Sequence, residues 1–399
     1  MKLSKLTLIF VTALFITSFC FYKVYSGFGF GMTGGVKNKV EELDEKVAEE
    51  KKKTEPEVKY TYSGSASAGD LVVFTVDQTN QTYETENITT GQTDTGSYSV
   101  LSGNLTGVKE VNVGSDYFFA VELDDKIIAA NFPTGNNDNE LSYGVSSAID
   151  NTGKVDQIEG NYVFIIISSG TVNDSSDIKE WGTLSVFSST WTKKSYATDY
   201  NNPATDTYQA VSPSTGSSYV DLFPITSPQE KGDWTVNGTK QERLDVTITS
   251  PTVRNFTGFA YASSNASAFI LDLGQGEGFL LGIKVNNTVS IGQSDIAGTY
   301  KFVDVTAGGT RGAGNYTIPS SGDGTYTHKE QGGTTESGDI LNIGFCPQIN
   351  NMFFGQLKRS NAGSPEDVVY AITIGDIIMH FTFDISDGHF VSYGAGAKL

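Results

Sequence analysis

The sequence predicts an all-β protein: tandem antiparallel β-barrel or sandwich units, three or else two, behind an N-terminal apolar helix and a short charged helix. Three observations predict it. From Lys59 onward short runs alternate apolar with polar residues. Leu244, Val246 and Ile248 stand against Asp245, Thr247 and Thr249, the period of a strand with one buried face. Turn clusters such as "SGDG" and "PTGNN" separate these runs at the short spacing of sandwiches and barrels, with no helical periodicity between them. Finally, "IEGNYVFII" at 158–166 and "IAGTYKFVD" at 296–304 place Ile, Gly, Tyr and Phe in one register, as successive copies of one β unit would.

Residues 1–26 open with Lys2 and Lys5, then the uncharged run "LTLIFVTALFITSFCFY" at 6–22. Its length lies between a signal-peptide core and a spanning helix. Val24-Tyr25-Ser26 offers a cleavage before Gly27, whereas the aromatic "FCFY" upstream is atypical of one, so a cleaved signal and a retained anchor both stand. Either sends the bulk of the chain out of the cytoplasm, to the cell surface or the periplasm. Residues 27–56 supply a glycine-rich joint and a charged spacer helix, with Val36, Val40, Leu43 and Val47 along one seam. A joint and a spacer suit a tethered protein, which favours the anchor and makes the membrane a partner through the N-terminal segment.

Beyond lie three β units at 57–155, 156–293 and 294–399, with two domains divided near residue 205 as the competing parse. Three similar hairpins mark them: "FAVEL-DD-KIIAANF", "FILDL-GQGEG-FLLGIKV" and "YAITI-GD-IIMHFTF". Gly160 and Gly298, inside strand patterns, read as bends at a barrel corner.

The whole chain carries a formal charge of −19, with 27 basic and 46 acidic residues. Such a field repels phosphate backbones and excludes nucleic acid as a partner. Two cysteines, Cys20 in the apolar run and Cys346 far from it, make no disulfide scaffold. The sequence contains no G-x-S-x-G elbow, no HExxH and no CxxC, so no catalytic set, metal site or cofactor is predicted. Of the three histidines, His380 falls on the face of "MHFTFD" with Thr382 and Asp384, opposite Met379, Phe381 and Phe383, and reads as exposed. His328 has no Cys or His at ligand spacing, and the third histidine is His389.

Two sets of binding residues emerge. Trp181, Trp191 and Trp234, all in the middle unit, could stack a sugar as a glycan platform. Tyr162, Phe164, Tyr300 and Phe302 could line barrel lumens that take an apolar ligand. The leading expectation is a non-catalytic, membrane-tethered envelope protein with a structural or adhesive role, met by a glycan, an apolar ligand or another envelope protein. A ligand-binding barrel is the first alternative and a carbohydrate-acting enzyme the second.

Overall fold

The computed structural model describes residues 57–132, 141–145, 159–167, 178–187, 190–196, 219–224, 229–230, 234–236, 239–241, 244–248, 254–261, 268–285, 291–306, 309–345, 352–386 and 390–399. The apolar run and the charged spacer fall outside them. The described residues are almost entirely strands, and none of their helices is long and apolar enough to cross a membrane.

The first eight strands are β1 (Lys59–Ala66), β2 (Leu71–Asp77), β3 (Thr82–Asn87), β4 (Gln92–Val100), β5 (Val108–Val113), β6 (Asp116–Leu123), β7 (Ile127–Ala130) and β8 (Ser142–Val145). Each pairs antiparallel with the next, and β8 returns to β1 to close a barrel. The last eight repeat that plan. They are β20 (Gly298–Thr306), β21 (Arg311–Ile318), β22 (Gly324–Glu330), β23 (Thr335–Phe345), β24 (Met352–Arg359), β25 (Asp367–Ile374), β26 (Ile377–Asp384) and β27 (Phe390–Lys398), with β27 closing on β20.

Between the barrels run β9 (Gly160–Ile167), β10 (Ile178–Phe187), β11 (Thr190–Tyr196), β12 (Tyr219–Pro224), β13 (Gln229–Glu230), β14 (Trp234–Val236), β15 (Thr239–Gln241), β16 (Leu244–Ile248), β17 (Arg254–Tyr261), β18 (Ala268–Gly274) and β19 (Gly278–Val285). Nine of these form one sheet in the order β12-β11-β10-β9-β19-β18-β17-β16-β13, while β14 and β15 pair separately. Its first and last strands, β9 and β19, are hydrogen-bonded neighbours, as the first and last strands of both barrels are. The middle sheet thus has the strand order of a barrel, open between β12 and β13 among the described residues. The three hairpins foreseen in the sequence are β6–β7, β18–β19 and β25–β26.

The repeated Gly-x-Tyr-x-Phe opens β9 and β20, and one physical cause fixes its glycine both times. Gly160 and Gly298 have φ of +148° and +153°, where a side chain is strained. Each also lies under a lysine from the closing strand: a Cβ would stand 2.6 Å from Lys284 Cε at Gly160 and 2.2 Å from Lys398 Cε at Gly298. Lys398 Nζ then donates to the Ala297 carbonyl at 2.6 Å. In both places the motif opens the first strand of its sheet, beside the last strand of the same unit.

Strand alternation foretold one buried and one wet face, and here the structure differs. On β6, Phe118, Ala120 and Glu122 point into the first barrel, while Phe119 and Val121 are equally buried outside it. The outer faces of both barrels and one face of the middle sheet share a continuous core, which includes Phe119, Ile165, Ile270, Leu281, Val303, Met379 and Phe381. Burying apolar surface on both sides of a strand lets polar residues turn inward, because the lumen is the only face with room for them. His380 is therefore not exposed. It is 1% exposed and inward on β26 with Thr382, while Met379, Phe381 and Phe383 join the shared outer core.

Polar contacts fix the two barrels to each other. Asn131, fully buried, donates through Nδ2 to the carbonyls of Asp304 at 2.9 Å and Gly312 at 2.7 Å. Its Oδ1 accepts from the Phe119 amide at 2.8 Å. Asn131→Ala removes three buried hydrogen bonds and is expected to cost at least about 2 kcal/mol. Chemical unfolding checks this, and a loss within a few tenths of a kcal/mol would contradict the assignment.

Candidate functional site

The interior of the C-terminal barrel divides along its axis. One end is filled: Ile296, Tyr300, Ile318, Ile340, Phe353 and Ile378 pack across it, and the Tyr300 hydroxyl donates to the Ile296 carbonyl at 2.9 Å. The other end holds a cavity of about 400 Å³ to which all eight strands contribute. The alternation of each strand builds it in two tiers. Aromatic and aliphatic residues come first, with Phe302 on β20, Tyr316 on β21, Tyr326 on β22 and Leu357 on β24. Two residues further along the same strands come charged groups: Asp304 after Phe302, His328 after Tyr326 and Arg359 after Leu357. Glu336 on β23 and Asp367 on β25 complete the rim, with Gly333 and Thr334 from the turn between β22 and β23.

Charges at the rim are paired selectively. His328 Nε2 lies 3.0 Å from Asp304 Oδ1. Burial opposes charge on this imidazole, but the Asp304 carboxylate outweighs it and raises the pKa to about 9. Burial works against Asp304 as well, and His328 with the Ser392 hydroxyl holds its carboxyl below the usual value. Arg359 Nε reaches Glu366 at 3.0 Å and Glu336 at 3.4 Å. Asp367 stands opposite Asp384 across the β25–β26 pair, and burial together with that like charge pushes it up to about 6.

Beneath this tier lies His380, edge-on to Phe302 with ring centroids 4.4 Å apart and beside Tyr316 at 5.2 Å. Neither ring nitrogen has a hydrogen-bond partner. Burial lowers its pKa to about 4 and keeps it neutral at physiological pH.

The N-terminal barrel reaches this site from outside. Gln331 Nε2 donates to Asp116 Oδ1 at 2.7 Å and to the Tyr117 carbonyl at 2.8 Å, and the Gly332 amide donates to the Tyr117 hydroxyl at 2.6 Å. The next two residues, Gly333 and Thr334, line the cavity. Among the described residues no group of three or more His, Cys, Asp or Glu side chains is arranged to hold a metal ion.

Of the aromatics picked from sequence, Tyr300 fills the closed end of the C-terminal lumen and Phe302 lines the cavity above it. Tyr162 and Phe164 lie together on one face of the nine-stranded sheet, with Phe269, Leu271 and Leu280. Trp181 on β10 and Trp191 on β11 belong to that sheet, and Trp234 starts the separate β14–β15 pair. Their side chains fall outside the described residues. Sequence reading missed Asp304, His328, Arg359 and Asp367.

No family model matches the chain, and no curated protein matches its sequence. Solved structures that it resembles include a protein of unknown function of the DUF3598 family from Nostoc punctiforme. That structure is 12% identical, with 61% of this chain and 97% of that chain covered and a TM-score of 0.21. Intact Ap-TbpB, with its N and C lobes, is 11% identical over 86% of this chain and 77% of its own, at a TM-score of 0.23. The isotype 1 transferrin binding protein B of serogroup B Neisseria meningitidis is 12% identical over 85% and 76%, at 0.20.

Proposed function

We propose that the protein is an exported, non-catalytic binding protein, tethered to a membrane by its N-terminal segment, that takes a small ligand into the mouth of its C-terminal barrel. One observation carries the reading: the lumen is filled at one end and holds a cavity of about 400 Å³ at the other, walled by all eight strands. That volume falls in the range of small-molecule sites, and the lining joins an aromatic and aliphatic tier to six charged side chains at the rim. The histidines argue for binding over catalysis. His328, raised to about 9, carries its proton near neutral pH and has no lone pair to offer as a base. His380 is neutral but lies behind Phe302 and Tyr316. The apolar run at 6–22, the glycine joint and the charged spacer support export and tethering.

The test uses Thr334, an exposed residue of the cavity rim. Saturation-transfer NMR of the full chain against a mixed fragment library is expected to give hits that Thr334→Trp abolishes by closing the mouth. Hits that survive this substitution unchanged, or no hits at all, would remove the reading.

A further inference from the structure

Resting on the reading of this cavity as a ligand site, we infer that its ligand is a small organic cation, an ammonium head on an apolar or aromatic body.

The charges lining the cavity are unbalanced. Asp304, Glu330, Glu336 and Asp367 face two cations, His328 and Arg359. Both cations are already engaged, His328 by Asp304 at 3.0 Å and Arg359 by Glu366 and Glu336 at 3.0 and 3.4 Å. Glu330 and Asp367 have no ion pair among the described residues. An incoming anion would find no uncommitted positive group, and it would approach a chain of net charge −19. A cation finds two carboxylates at the rim, Glu330 and Asp367, that feel His328 and Arg359 but make no ion-pair contact among the described residues.

The walls name the rest of the ligand. Phe302, Tyr316 and Tyr326 line the same space, with Phe302 stacked on Tyr316 at 4.4 Å between centroids, and the apolar carbon of these walls suits the body of such a ligand while the carboxylates take its head. A bare metal ion fits poorly, since no metal-holding cluster is found among the described residues. His380 is 1% exposed and has no partner at either nitrogen, and it abuts two of the rings that line the cavity. Its neutrality, imposed by burial, adds no positive charge that would oppose a cation above it. Asp367, pressed against Asp384 across the strand pair, is the group with most to gain from a counter-charge.

Three probes of matched shape test this by calorimetry on the full chain: phenethylammonium, 2-phenylethanol and 3-phenylpropanoate. The ammonium is expected to bind about tenfold or more tightly than the alcohol, with the carboxylate weakest. Its affinity should fall with added salt while that of the alcohol does not. Asp367→Asn should weaken the ammonium severalfold and leave the alcohol unchanged. If the alcohol or carboxylate binds as tightly as the ammonium, and Thr334→Trp abolishes that binding, the cavity is a ligand site and the cation preference is wrong. If none of the three binds, the cation preference falls too, and the fragment screen still decides for or against the cavity itself.

Discussion

Lys109→Met in the N-terminal barrel is expected to cost about 3–5 kcal/mol of folding stability. Glu122 has a side chain with no exposure, and its carboxylate takes three partners inside the lumen. Lys109 Nζ lies 2.8 Å from Oε2, the Tyr62 hydroxyl donates to Oε1 at 2.6 Å, and Gln78 Nε2 donates to Oε2 at 3.3 Å. Burial beside this carboxylate raises the Tyr62 phenol, so it stays a donor. Without Lys109 the charge must be held by neutral donors alone in an enclosed space. The double substitution Lys109→Met/Glu122→Gln removes both charges and keeps an acceptor for Tyr62, and it should return most of the loss. Urea unfolding of wild type, single and double variants decides the matter. A single variant within about 1 kcal/mol of wild type, or a double variant no better than the single, would overturn the assignment.

Much of the fold was legible in the sequence because strand signals are local. A hairpin such as Tyr370–Phe383 joins its two strands through a short Gly-Asp turn, and its cross-strand partners lie close in sequence. The Gly-x-Tyr-x-Phe repeat was legible as a unit marker, but its cause was not. Gly298 answers to Lys398, a residue 100 positions away. The candidate site was less legible for the same reason. Its lining runs from Phe302 to Ser392, one to three residues per strand, so no single motif of fixed spacing spans it. What failed outright was the choice of inside and outside. Alternation tells which residues share a face, and it assigns the apolar face to the core. In β26 both faces are buried, so the apolar rule sent His380 outward when it points into the lumen. Glu122 was hidden in the same way, as the polar member of an apolar strand. One signal was available: Phe302-x-Asp304 and Tyr326-x-His328 each set a charged residue two positions beyond an aromatic, marking a shared polar tier.

That polar tier gives the protein a definite response to pH, with opposing contributions on either side of about 6.5, the ordinary histidine value. His328, raised to about 9, binds its proton more tightly in the folded state than in the unfolded chain. Its contribution is complete below pH 6.5 and is lost as pH rises toward 9, a decline of roughly 3 kcal/mol. His380 works in the opposite sense. Burial lowers it to about 4, so between pH 6.5 and 4 the unfolded chain takes up a proton that the folded protein refuses, and stability falls as pH falls. Asp367, raised to about 6 by burial and Asp384, and Asp272, raised to about 6 by burial, each lose their contribution as pH rises from 3.8 to 6 and so oppose His380 over the same interval. With both carboxyls set against the one histidine, wild type should weaken from pH 4 to 6 and again above 6.5. Two substitutions separate the contributions in chemical unfolding followed across pH. His328→Gln keeps a donor for Asp304 without the titration, and its alkaline decline should disappear even though its absolute stability is lower. Asp367→Asn removes one of the two carboxyl contributions, and its stability relative to wild type should climb by roughly 3 kcal/mol between pH 4 and 6. A wild-type profile level from pH 6.5 to 9 would show that the Asp304–His328 pair does not hold its proton as the geometry requires. An Asp367→Asn profile parallel to that of wild type from pH 4 to 6 would say the same of the Asp367–Asp384 strand pair.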